Sequence, residues 1–287
     1  VSVALYAGVM HVTMLEREDG TRIAVELSEV VRGSAAIPVT VLLHGLGGTR
    51  AELRELAHGL PGRSALVDLR GHGASSRRPA DLEPAAFVED LHAVVEYLGG
   101  MPVALVGQSF GGHIALRYAA RHPDLIVKLV LIEAGVGGEG VEAADRIADW
   151  FASWPQPFID PESAIERLGS SPFARAAARA LVPTDGGWSA PFDPEVLRAA
   201  LRAISREPAW DAWRGVEAPT LLITGGHGAM AEAEVGRMIA MKPVASRAIV
   251  PEAGHEVHLD APATTLRVTR SFLAPDLPDA GPVTPPL

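Results

Sequence analysis

The chain has 287 residues, 48% of them hydrophobic, which is enough for one large α/β domain or a domain carrying an insertion. Its formal charge of −10, from 25 basic and 35 acidic residues with no Lys/Arg block, argues against nucleic acid or an anionic membrane as a partner. The absence of cysteine removes disulfides, thiolate catalysis and thiolate metal sites. The start, "VSVALYAGVMHVTMLERED", is mildly apolar but lacks a basic n-region and a clear cleavage site, and no apolar run is long enough to span a bilayer. A soluble, cytoplasmic protein is the expectation.

Val9 to Glu16 and Arg22 to Leu27 alternate apolar and polar residues around "EDG", the pattern of a hairpin with one wet face. Val39 to Leu43 and Ser64 to Val67 are short apolar runs ending in glycine-rich loops, which suits parallel strands buried on both faces. Phe87, Leu91, Val94, Val95 and Leu98 mark one face of a helix that "GG" ends. Val103 to Val106, Val127 to Ile132, Thr220 to Thr224 and Arg247 to Val250 supply four more strands. Strand–helix alternation on this scale predicts a doubly wound, mainly parallel sheet, with residues 1–135 and 217–273 as its core.

Residues 136–216 break that rhythm. Helical patches at Glu142 to Phe151, Pro161 to Leu168 and Pro194 to Ile204, and all five tryptophans of the chain, fall in this segment. It reads as a helical cap inserted over the carboxyl edge of the sheet, with some aromatics facing a pocket for a bulky or apolar substrate. Residues 274–287 are proline-rich and read as a disordered tail.

The polar stretch between the strand at Val103 and the following helix is Gly107-Gln108-Ser109-Phe110-Gly111. A strand turning sharply into a helix puts Ser109 at a strained tip, where only small residues fit at 107 and 111. Its hydroxyl then stands exposed above a helix N-terminus, which favours developing negative charge. "HGLGG", His44 to Gly48, follows a neighbouring strand, so the backbone N–H groups of Leu46 and Phe110 can both point at a carbonyl oxygen bound over Ser109. The side chain of His44, and Asp68, Arg70 and His72 in "DLRGHGAS", read as loop packing. "PEAGHEVHLDAP" places His255 on a glycine turn after the last strand, within reach of the serine as a base. His255 and His258 lack the third partner that a metal site needs, and His113 and His227 read as loop or helix-surface residues.

"HGLGG", "DLRGHG", "GQSFGG" and "AGHEVHLDAP", in this order and spacing, resemble the α/β-hydrolase fold family from about Val9 to Leu273. The resemblance implies Ser109 as nucleophile, His255 as general base and then acid, and the amides of Leu46 and Phe110 as oxyanion hole. Relatives usually carry an aspartate in the loop after the strand read here as Thr220 to Thr224, but "TGGHGAM" puts Gly228 there. Glu133, at the end of "LVLIEAG", is the expected substitute, because some branches of the family keep their acid at this strand end. Glu232 and Glu234 read as solvent-facing residues opening a helix, and Asp260 follows His255 too closely to orient its ring.

These residues predict a cofactor-free serine hydrolase acting on a small-molecule ester, lactone or thioester through an acyl-enzyme. Acyl transfer or perhydrolysis on the same residues, and a receptor that retains the architecture, are the alternatives. Oligomeric state has no signature in the sequence.

Overall fold

The computed structural model describes residues 12–28, 37–138 and 140–273. The expected tail at 274–287 and the first residues of the first strand, 9–11, lie outside the described residues.

Strands β1 (Val12–Glu16) and β2 (Arg22–Leu27) form an antiparallel hairpin. Then come β3 (Thr40–Leu43), α1 (Arg54–Gly59), β4 (Ser64–Val67), α2 (Pro84–Tyr97), β5 (Val103–Gln108), α3 (Ser109–Arg121) and β6 (Ile126–Ile132). An insertion follows, with α4 (Val141–Ala152), α5 (Pro161–Leu168), α6 (Pro172–Ala180), a small hairpin β7 (Val182–Thr184) and β8 (Gly187–Ser189), α7 (Pro194–Ser205) and α8 (Trp210–Gly215). The chain returns through β9 (Thr220–Gly225), α9 (Glu232–Met241), β10 (Ala245–Val250), α10 (Val257–Asp260) and α11 (Pro262–Leu273).

Eight strands make one sheet in the order β1-β2-β4-β3-β5-β6-β9-β10, and every pairing beyond β4 is parallel. Successive strand residues point to opposite faces and feed two separate cores. Val41, Leu105, Leu129, Leu131 and Leu222 pack on one face with Phe87, Ile114, Tyr118 and Trp213. Leu42, Val106, Val130, Ile132 and Ile223 pack on the other with Leu56, Leu60 and Val257. Burial on both faces explains why these strands read as unbroken apolar runs.

The hairpin departs from the expected single wet face. Ile23, Ala24, Val25 and Glu26 of β2 are all fully buried, because β2 is an inner strand with β4 beyond it. Glu26 is tolerated there because Arg54 and Arg50 both donate to its carboxylate; burial would raise its pKa, but these partners hold it below the usual range.

The insertion has its own core of Phe151, Trp154, Phe158, Phe192 and Leu197. Three of its helices start on side-chain caps: Asp160 and Ser163 form a reciprocal box on α5, Ser171 caps α6 and Asp193 caps α7. The last helix, α8, turns back to the sheet: Trp213 is fully buried and its indole N–H donates to the Met238 carbonyl at 3.1 Å. Among the described residues no helix is long and apolar enough to cross a membrane.

Candidate active site

The parallel strands all end at the same edge, and the residues just past β3, β5, β6, β9 and β10 converge there. Ser109 follows β5 directly, with φ of 47°, a left-handed conformation that costs a non-glycine residue about 1–3 kcal/mol. Its neighbours allow nothing larger than glycine. A Cβ on Gly107 would lie 2.6 Å from the Gly111 carbonyl oxygen, and one on Gly111 2.5 Å from that of His44. The strand therefore enters the helix with the serine hydroxyl projecting from the tip.

His255, in the loop after β10, meets that hydroxyl: Nε2 is 2.9 Å from Ser109 Oγ. Its other nitrogen, Nδ1, is 3.3 Å from Glu133 Oε2. An ionised carboxylate only accepts, so Nδ1 carries the proton and Nε2 is left to accept from the serine. Gln108 holds the loop from below, its side-chain amide donating to the His255 carbonyl at 3.3 Å.

Glu133 sits at the end of β6, also with φ of 47°, and is buried. Its carboxylate is seated by the β9 loop, accepting from the N–H of Gly225 at 2.8 Å and of Ala229 at 2.7 Å. Burial would raise its pKa, but the hydrogen bonds from His255, Gly225 and Ala229 outweigh this and keep it lowered. For His255, burial disfavours the imidazolium, and the Glu133 hydrogen bond with the charges of Glu256, Glu133 and Asp260 raises its pKa overall. Gly228 lies directly against this seat: a Cβ there would collide with the Glu133 carboxylate. The missing side chain at 228 is the space that Glu133 fills.

Leu46, in the loop after β3, and Phe110, in the first turn of α3, both line the cavity above Ser109. The N–H of Leu46 donates to no described residue, and that of Phe110 belongs to the first turn of α3, where helix N–H groups have no partner in their own helix. His44 is locked beneath them, with Nδ1 2.7 Å from the Gly45 carbonyl and Nε2 accepting from the Leu69 N–H at 3.0 Å. Arg70 is paired with Asp90, and Asp68 accepts from the N–H groups of Arg50 and Ala74. These loop residues hold the backbone in place.

The cavity over Ser109 is about 450 Å³ and is lined by Phe110, Ile147, Trp150, Phe151, Phe173, Leu201 and Met230, among others. Of the tryptophans only Trp150 lines it; Trp154 belongs to the core of the insertion and Trp213 to the core of the sheet. Three lining residues were not legible as such. His113 faces the cavity instead of the helix surface, with burial holding its pKa down at about 3. Glu234 also faces it, accepting from the Val136 N–H at 2.8 Å, and is not the solvent-facing residue expected; Glu232 is exposed and paired with Arg247. Glu256 lines it beside His255, its carboxyl pushed up by burial. Asp260 accepts from the Gly254 N–H at 2.9 Å and so braces the turn that carries His255.

Comparison with known proteins extends the fold to a family. The chain is 30% identical over 263 residues to the mouse (Mus musculus) sn-1-specific diacylglycerol lipase ABHD11, covering 84% of this chain and 83% of that protein. The crystal structure of E-2-(acetamidomethylene)succinate hydrolase superposes with a TM-score of 0.80 at 24% identity, over 92% of this chain and 99% of the other. The enol-lactonase from Burkholderia xenovorans LB400 superposes with a TM-score of 0.72 at 20% identity, over 89% and 97%. Residues 40–268 match the profile of the Alpha/beta hydrolase family. With its parallel sheet and the serine turn at the carboxyl edge, the chain belongs to the α/β hydrolase family.

Proposed function

We propose that this hydrolase cleaves carboxylic esters, lactones or thioesters with apolar or bulky acyl groups, through an acyl-enzyme on Ser109. The observation that carries the reading is the continuous relay from Ser109 through His255 to Glu133, at 2.9 and 3.3 Å. As Ser109 Oγ bonds to the substrate carbonyl carbon, its proton passes to His255 Nε2, and the carbonyl oxygen becomes an oxyanion received by the Leu46 and Phe110 amides. Collapse breaks the bond to the leaving oxygen or sulfur, which takes the proton from His255. Water then repeats the sequence on the acyl-serine. Glu133 orients the ring and stabilises the imidazolium as it forms. The helices of residues 136–216 act as a cap whose apolar lining selects the acyl group. The relatives named as a lipase and an enol-lactonase support ester-type chemistry for this chain.

Intact-mass analysis after a fluorophosphonate probe tests the reading, followed by a panel of esters, lactones and thioesters. Wild type is expected to gain one adduct, whereas Ser109→Ala gains none and loses turnover by a factor on the order of 10⁶. A labelled, active Ser109→Ala protein would overturn it.

A further inference from the structure

Helix α4 carries more apolar surface than its packing uses. Ala144, Ala148 and Phe151 form its buried stripe, at most 4% exposed. Ala143, Ile147 and Trp150 form a second stripe beside it at i, i+4 and i+7, and Ile147 and Trp150 are each 47% exposed. A helix that needed only to cover the insertion core would be polar there.

The second stripe lies where the interior of the active site meets the outside. Ala143, Ile147 and Trp150 line the cavity over Ser109, and with Arg146 the same three residues line an outer groove of about 320 Å³. Cavity and groove therefore share one helix face as a common wall. The wall is fixed: the Trp150 ring stands edge-on to Trp154 at 5.4 Å and against Phe173 at 5.7 Å. From residue 143 to 150 the stripe runs about 10 Å along the helix axis.

We infer that this stripe is a track for the far end of a long, unbranched, uncharged acyl chain, which passes from Ser109 through the cavity and leaves over Ile147 and Trp150. The inference rests on the acyl-enzyme reading above. The acyl half is assigned to the track because it stays bound through both half-reactions, while a track holding the alcohol chain would retard release of the first product. Residues next to Ser109 meet short and long chains alike; the stripe gains most of its contact from long ones.

The experiment compares kcat/KM for p-nitrophenyl butanoate, octanoate and dodecanoate, below their aggregation concentrations, in wild type, Trp150→Ala and Ile147→Ser. Wild type is expected to improve from butanoate to dodecanoate. In both variants the loss on dodecanoate should exceed the loss on butanoate by about tenfold. Ile147 belongs to none of the ring contacts, so its variant separates loss of the track from disturbance of the aromatic packing. Equal losses on butanoate and dodecanoate in Ile147→Ser, variants indistinguishable from wild type on dodecanoate, or a wild type that declines beyond butanoate would each overturn the track. Failure of the acyl-enzyme reading is seen separately, as absence of the probe adduct on Ser109 in all three proteins.

Discussion

At Glu133 one carboxylate performs two tasks, fixing the His255 tautomer and filling the space left by Gly228. Glu133→Gln keeps the shape and removes the charge, and its amide nitrogen cannot accept from the loop N–H groups. Under the proposed mechanism kcat falls by about 10³–10⁴ with KM little changed, as steady-state kinetics will show. The same variant reports through pH. In that mechanism the base works as the neutral imidazole, so kcat/KM should rise with pH through the His255 pKa, which the neighbouring carboxylates raise above the ordinary value of 6.5. The acid limb should therefore have its midpoint above about 6.5 in wild type and move down in Glu133→Gln; an unmoved limb contradicts the pairing. Glu133 was legible because "TGGHGAM" lacks a carboxylate and "LVLIEAG" offers one. That Gly225 and Ala229 would seat it was not, since backbone donors leave no mark in side-chain chemistry.

Among elements, all eight strands of the sheet were readable: the inner parallel ones because burial on both faces writes them as compact apolar runs between glycine-rich loops, and β1 and β2 through their alternation. The insertion was harder. Helix α6, "PFARAAARA", carries one large apolar side chain, Phe173, among its alanines, and α8, "WDAWRG", is too short for a helical repeat to register. The tryptophans of α8 were assigned to the cap by position alone, yet Trp213 serves the sheet. Glu234 was misread for a related reason. The first turn of α9 looks polar and solvent-facing in isolation, but the loop leaving β6 folds onto it and donates the Val136 N–H. This contact ties α9 to the segment three residues beyond Glu133, and Gly135 leaves it room, since a Cβ there would collide with the Glu234 carboxylate. Glu234→Gln retains an acceptor oxygen and should stay within a few-fold of wild-type activity, whereas Glu234→Ala strands a buried N–H and should cost about 1–3 kcal/mol in urea unfolding. Equal stability of the two variants would remove the anchor.

Over the whole molecule, charge and burial set how it meets its surroundings. Among the described residues, the cavity lining includes Glu133, Glu234 and Glu256 and no lysine or arginine, in a chain of net charge −10. An acyl group ending in a carboxylate is therefore repelled on approach and unpaired on arrival. p-Nitrophenyl hemisuccinate should be turned over at least about tenfold more slowly than the neutral pentanoate, and added salt should narrow the gap by screening the approach. Equal rates at low salt would refute this. Acid should unfold the protein early. Burial holds His44, His72, His113 and His258 neutral, with pKa values of about 4, 3, 3 and 3. Below about pH 6.5 the unfolded chain binds protons that these folded imidazoles refuse, so each removes roughly 1.4 kcal/mol per pH unit until its folded pKa is reached. Glu52 and Glu256, their carboxyls pushed up by burial, titrate in the opposite sense and offset part of this loss. The urea midpoint should drop steeply from about pH 6.5 to about pH 4.5, and a flat profile there would rule the account out.

The collision between a side chain at 228 and the carboxylate of Glu133 also bears on ancestry. The two strand ends compete for one seat, so a lineage cannot hold an acid at both positions without displacing one. Under the proposed mechanism, an aspartate gained at 228 would push the Glu133 carboxylate from its seat, and loss of Glu133 would leave His255 without its partner while 228 is glycine. Each change then favours the other, a sign epistasis between two strand ends. Migration of the acid between them would cross a valley in base strength. The glycine at 228 records which side of that valley this protein occupies.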